Sequence, residues 1–224
     1  MIRMNNLKKA FGDRLIFENL ELSIAENSIV GVFGASGIGK STLAKILCGV
    51  LRPDEGAVYL ENRLLCSSTR PYDRKLGLQI QMVYQQPYAA LDPHQPIGDG
   101  FRELIRYHHM ASNGRDCRKL TEQVLRQVAL PEEILAHRPH QISGGEAQRI
   151  AIARSLLFEP RLLILDEATS MLDVSTQANV MGLVRRVMAA REGSVLLISH
   201  DWDMVQFLCD QIYVFDNKTL KKEK

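Results

Sequence analysis

Apolar residues along the chain fall into two patterns. Ser28–Phe33, Leu162–Leu165 and Val195–Ile198 are apolar runs without polar alternation, as expected of parallel strands covered on both faces. A helix-compatible stretch follows each. After the first, Leu43, Ile46, Leu47 and Val50 recur at helical spacing until Pro53, which predicts an amphipathic helix stopped by that proline. Strand and helix in alternation predict an α/β fold with a mainly parallel sheet. Near the N-terminus the pattern changes. Leu15–Ile24 and Ala57–Leu65 read as strands bordered by the turn residues Asp54, Gly56, Glu61 and Asn62, so a small antiparallel β layer is expected beside the core. Residues 87–158 read as mainly helical, with Leu120, Val124 and Val128 on one face and Pro131 at its end. Because they separate two core strands, they are expected to form a helical subdomain inserted within a single domain of residues 1–224. The tail Lys221–Lys224 reads as a solvated end.

Composition narrows the classes. The chain of 224 residues is long enough for one core with an inserted subdomain. A formal net charge of +2 is too small to imply nucleic acid or an anionic membrane surface as the main partner. Cys48, Cys66, Cys117 and Cys209 stand singly, with no metal-ligand spacing, which fits a reducing compartment. No segment reaches the roughly 18 consecutive apolar residues of a membrane span. Met1–Asn6 lacks the apolar stretch of a signal peptide. Work at a membrane would require docking on another chain.

Candidate chemistry begins where the first apolar run ends. Gly34-Ala35-Ser36-Gly37-Ile38-Gly39-Lys40-Ser41, followed by Thr42, matches GxxxxGK[ST] at every defined position. Phosphates need several backbone N–H donors converging from one side. A glycine-rich turn lets the main chain come that close, and the helix behind it directs its positive end at the same point. Lys40 supplies a cation for the β- and γ-phosphates, and Ser41 a hydroxyl for Mg²⁺. Ile38 is bulky for such a loop; its side chain is expected to turn away. Leu162–Leu165 ends in Asp166 and Glu167. Beside the loop, Asp166 would hold hydrated Mg²⁺, and Glu167 would polarise the water that attacks the γ-phosphate. These motifs predict a P-loop nucleotide hydrolase.

Ile142-Ser143-Gly144-Gly145-Glu146-Ala147-Gln148-Arg149 resembles the LSGGQ signature of ATP-binding-cassette proteins. The resemblance implies that Ser143, Gly144, Gly145 and Glu146 complete the ATP site of an opposite cassette, so that two cassettes enclose two ATP molecules. Other elements of the family follow in order. Phe11 resembles the aromatic residue that stacks on adenine. Gln85 resembles the glutamine that reaches Mg²⁺ and the attacking water. Ser170-Met171-Leu172-Asp173 resembles the loop that meets the other subunit, and His200 the histidine near the γ-phosphate. The implied metal ligands are Ser41, Gln85 and Asp166; the implied catalytic residues are Glu167, His200 and Gln85. Three positions depart from the family pattern: Ile142 for leucine, Glu146 for glutamine and Ala168 for proline.

Gln85–Pro93 with Ile97-Gly98-Asp99, and Leu172–Ala178, resemble the dipeptide, oligopeptide and nickel importer ATPases. That implies integral-membrane permease subunits and a second ATPase subunit, identical or homologous. It also implies an extracytoplasmic substrate-binding protein acting indirectly, a place on the cytoplasmic face of the inner membrane, and no nucleic acid. Such ATPases usually carry a C-terminal extension, whereas this sequence stops soon after Phe215-Asp216-Asn217. His94, His108, His109, His137 and His140 are expected on the solvated surface rather than around nickel. The alternative is a non-transport cassette acting on DNA or the ribosome, but the basic stripe with interleaved aromatics expected of it is missing. A non-hydrolysing interaction module is disfavoured by Lys40, Asp166, Glu167 and His200.

Overall fold

The computed structural model describes residues 2–168 and 173–224. The chain divides into two compact units. One is made of Met1–Met82, Pro160–Glu167 and Met188–Lys224, the other of Val83–Glu159 and Ala168–Val187. The strands in chain order are β1 (Ile2–Phe11), β2 (Arg14–Ile24), β3 (Ile29–Phe33), β4 (Glu55–Leu60), β5 (Arg63–Ser67), β6 (Ile80–Val83), β7 (Leu162–Asp166), β8 (Ser194–Ser199), β9 (Gln211–Asp216) and β10 (Thr219–Lys222).

Two sheets result, as the sequence predicts. The N-terminal one is antiparallel, in the order β2-β1-β4-β5, and the other has the order β10-β9-β3-β8-β7-β6. In the second, β3 runs parallel to β8 and β9, and β7 runs parallel to β8. The three apolar runs are β3, β7 and β8, and their interiors are buried.

Several elements differ from the sequence reading. The N-terminal sheet has β1 at its centre, a strand the pattern did not predict. Its pairing with β2 shifts register between Met4 and Leu7, and Asn6 adopts φ 49°, so the apolar alternation that marks a strand is broken by a bulge. Ala57–Leu65 is a hairpin rather than one strand. It turns at Glu61 and Asn62, whose φ values are 49° and 65°, the left-handed pair that a tight two-residue loop needs. The tail has exposed side chains, yet Lys221 and Lys222 pair with Val214 and Tyr213. Glu223 N–H also donates to Ile212 O at 2.8 Å.

The core of the first unit joins the two sheets. Phe17, Leu20 and Ile24 of β2 bury with Val30 and Val32 of β3, Ile164 of β7 and Ile198 of β8. The Phe17 and Phe215 rings meet edge to face at 6.0 Å. Helix α1 (Lys40–Leu47) contributes Leu43, Ala44, Ile46 and Leu47. It ends before Val50, which is 61% exposed. The cause is a left-handed Gly49, φ 71°: its N–H donates to Ile46 O, and Val50 N–H reaches back to Lys45 O at 2.9 Å. These are the paired bonds that close a helix at a glycine. Tyr72 adds its hydroxyl to Leu47 O at 2.8 Å. Asp73 then caps the single turn α2 (Arg74–Gly77) through the N–H groups of Lys75 and Leu76.

The second unit contains α3 (Ile97–Tyr107), α4 (Gly114–Gln127), α5 (Gly144–Leu156) and most of α6 (Val174–Ala189), while α7 (Trp202–Leu208) belongs to the first. It encloses the expected 87–158 stretch and takes in 168–187 as well. Phe101 and Ile105 of α3, Val124 and Leu125 of α4, and Ala147 and Ile150 of α5 are buried. His94, His109, His137 and His140 are exposed, but His108 is half-buried, with its ring 4.8 Å from Phe158. Among the described residues, no helix is long and apolar enough to cross a membrane.

Gly49 tests the helix stop. A Cβ there would stand 2.5 Å from the Tyr72 ring, on a backbone that L-residues rarely adopt. Gly49→Ala is expected to destabilise the chain by about 1–3 kcal/mol, read as a lower urea midpoint at unchanged slope.

Candidate active site

The loop after β3 is shaped by glycines and by what lies behind it. Gly39, at φ 130°, precedes α1, and a Cβ on it would meet the Ile16 side chain at 2.8 Å. Ala35, Ser36 and Gly37 are exposed at the tip. Ile38 turns its side chain onto the core cluster, as expected, and donates its N–H to Ala35 O at 3.4 Å. Lys40 is 4% exposed. Its ammonium donates to Gly34 O at 2.6 Å and Ala35 O at 2.9 Å, and lies 3.8 Å from Glu167 Oε1. Burial pushes the Lys40 ammonium below its ordinary pKa, against the pull of Glu167 and Asp166.

Parallel register brings the other groups alongside. Phe33 pairs with Ser199 and Asp166 with Ile198, so β3, β8 and β7 end in one row. Adjacent strands stand about 4.8 Å apart. The row therefore carries the loop, then His200, then Asp166 and Glu167. Glu167 sits at φ 50°, with its N–H on Ile198 O at 3.0 Å. A left-handed glutamate costs of order 1–3 kcal/mol and persists only where its surroundings fix it. Its carboxylate is 3.3 Å from His200 Nδ1. One carboxylate thus faces an imidazole and an ammonium.

Asp166 is 9% exposed and hydrogen-bonds Ser41. Desolvation raises its pKa, and neighbouring Glu167 raises it further, against the opposing pull of Ser41 and Lys40. Its Oδ1 is buried without a hydrogen-bond partner. An orphaned carboxylate oxygen beside a serine hydroxyl fits a hard divalent cation such as Mg²⁺, which takes oxygen donors.

The remaining predicted residues are distributed as follows. Phe11 ends β1 with its ring 48% exposed and the Lys9 ammonium 5.5 Å from its centroid. Lys9 is itself held by Asp54 at 2.7 Å. Gln85 is exposed in the second unit. There Ser143 opens α5 in a capping box: its Oγ accepts from Glu146 N–H at 3.3 Å, and its N–H and hydroxyl both donate to Glu146 Oε2 at 2.8 Å. These bonds hold the Glu146 carboxyl below its ordinary pKa. Asp173 accepts from Ser175 Oγ at 2.6 Å and Thr176 N–H at 3.0 Å at the start of α6. Ser170, Met171 and Leu172 lie outside the described residues.

Residues 17–170, more than half of the chain, match the family model described as ABC transporter. The chain belongs to that family. It is 34% identical over 197 residues to the oligopeptide transport ATP-binding protein OppF of Salmonella typhimurium, covering 88% of this chain and 59% of that protein. Over 202 residues it is 34% identical to the nickel import ATP-binding protein NikE of Escherichia coli, covering 90% and 75%. The chain thus spans less than two thirds of the first relative. Among solved structures it superposes on cbiO1 of Clostridium perfringens, part of the ABC transporter complex cbiONQ, with a TM-score of 0.86 and 25% identity over 98% of this chain and 86% of that one. Both sheets are thereby accounted for as the ABC ATPase fold.

The Asp166 carboxylate gives a stability prediction. A folded-state pKa raised above the unfolded value means that the ionised form weakens the fold above that pKa. Asp166→Asn is therefore expected to raise Tm at pH 7 without nucleotide. Scanning calorimetry should show the gain shrinking in acid, where the wild-type carboxyl takes up its proton.

Proposed function

We propose that this chain is the ATP-binding and ATP-hydrolysing subunit of an ABC importer, working peripherally at the cytoplasmic face of the inner membrane. The observation that carries the reading is the grouping of Lys40, Ser41, Asp166, Glu167 and His200 at one edge of the parallel sheet. Ligands of open α/β sheets bind at the carboxyl ends of strands. The cargo class is a peptide, nickel or a related metal chelate, by likeness to OppF and NikE. The partners are permease subunits, a second ABC ATPase and, indirectly, an extracytoplasmic binding protein.

Each residue has a distinct task. Backbone N–H groups of Gly34–Thr42 take the phosphates at the head of α1. Lys40 exchanges its hold on the loop carbonyls for phosphate oxygens. Phe11 offers an exposed ring face to the base. Ser41, Asp166 and Gln85 would hold Mg²⁺, which supplies charge neutralisation at the phosphate oxygens. Glu167 accepts a proton from water. His200 steadies Glu167 and faces the γ-phosphate. From the opposite cassette, Ser143, Gly144, Gly145 and Glu146 present a helix N-terminus to the nucleotide. ATP joins the two cassettes, and hydrolysis removes the differential affinity that held them.

Glu167→Gln separates binding from chemistry. It is expected to keep MgATP affinity, lose about a hundredfold or more of turnover, and run as a dimer on gel filtration in MgATP. Turnover at the wild-type rate would refute the base assignment. The same variant, tagged and recovered with MgATP from detergent-solubilised membranes, should bring down a multi-span permease. Recovery of ribosomal or DNA-repair proteins alone would contradict the importer reading.

A further inference from the structure

Two hydrogen bonds tie the segment after Gln85 to the helix that begins at Ser143. Tyr88, in the 3-10 turn Pro87–Ala90, donates its hydroxyl to the Ile142 carbonyl at 3.0 Å. Farther along α5, the Arg154 guanidinium donates to the Ala90 carbonyl. Burial pushes the Arg154 guanidinium below its ordinary pKa, against the pull of Glu103.

The Tyr88 bond falls on one particular peptide. The Ile142 carbonyl and the Ser143 N–H belong to a single planar unit. Tyr88 holds its oxygen, and Glu146 Oε2 holds its N–H at 2.8 Å. With both edges held, the plane cannot turn, and the direction in which the chain enters α5 is set. Ser143 follows at φ −74° and ψ 162°, so the same plane sets where its Oγ stands. The Tyr88 side chain is 41% exposed. Packing alone does not call for a tyrosine there; the hydroxyl is what reaches Ile142.

We infer that Tyr88 is a positioning residue for ATP hydrolysis: its hydroxyl fixes the Ile142–Ser143 peptide and passes displacements of the Gln85 segment on to Ser143. Sequence patterning gave no sign of this contact, because the two residues lie 54 positions apart in the chain. The inference rests on the proposed roles of Ser143 and Gln85.

The test is Tyr88→Phe in the full chain, with steady-state MgATP hydrolysis and thermal melting measured together. The expected result is a kcat lower by about three- to tenfold, the scale of one neutral hydrogen bond, with KM within about twofold and Tm unchanged. In the Glu167→Gln background, the same change should reduce the fraction of dimer formed in MgATP. An unchanged kcat overturns the inference. So does a lower kcat accompanied by a lower Tm or a matching rise in KM, which is what loss of fold or of ATP binding produces. Ser143→Ala separates the two claims. If it loses turnover while Tyr88→Phe does not, the positioning role alone fails. If Ser143→Ala also turns over at the wild-type rate, the role proposed for Ser143 fails and takes the Tyr88 inference with it.

Discussion

Parallel hydrogen bonding in register among β3, β8 and β7 places Phe33, Ser199 and Asp166 at one edge of the sheet. The buried charged groups of the first unit, Lys40 and Asp166, with Glu167 and His200, hang from that edge. The loop leaves β3 there, His200 follows β8, and Glu167 follows β7. No long-range side-chain contact is needed to gather them; the ladder spacing does it. The apolar interiors of these strands hold the ladder in place, since a slip by one residue would turn every buried side chain to the wrong face.

The assembled edge is not the arrangement that stability alone would choose. Lys40 is buried and its charged form is disfavoured by desolvation. Asp166 is buried and its charged form is disfavoured as well. Glu167 sits in a left-handed backbone conformation. Each feature costs free energy in the isolated chain, and each offers what a polyphosphate and a divalent cation require: a poorly solvated cation, an orphaned carboxylate oxygen, and a carboxylate held by its backbone rather than by solvent. Two buried charged groups brought together at one edge, beside an apolar core cluster, are the pattern expected of a site shaped for a charged ligand.

Much of this was legible in the sequence, for local reasons. Unbroken apolar runs marked β3, β7 and β8 because parallel strands are covered on both faces; GxxxxGK marked the edge by its defined spacing, and Asp166-Glu167, an ordinary solvated strand end when alone, gained meaning only beside it. What escaped was non-local or irregular. β1 was missed because its bulge near Asn6 erases the alternation. The stop of α1 was misjudged because Gly49, not Pro53, closes the helix. The share of α6 in the second unit could not be read from periodicity, which says nothing of which neighbours a helix chooses. The bond from Tyr88 to Ile142 depends on the folding of the whole second unit.

The loop from Gly34 to Lys40 is expected to take the phosphates of a nucleotide. Calorimetric titration of MgATP into the wild-type chain and into Lys40→Ala tests it most directly. Saturable binding is expected for the wild type and an affinity at least about tenfold weaker for the variant, since a poorly solvated cation on phosphate is worth more than about one kcal/mol. Equal affinity in the two proteins would contradict it.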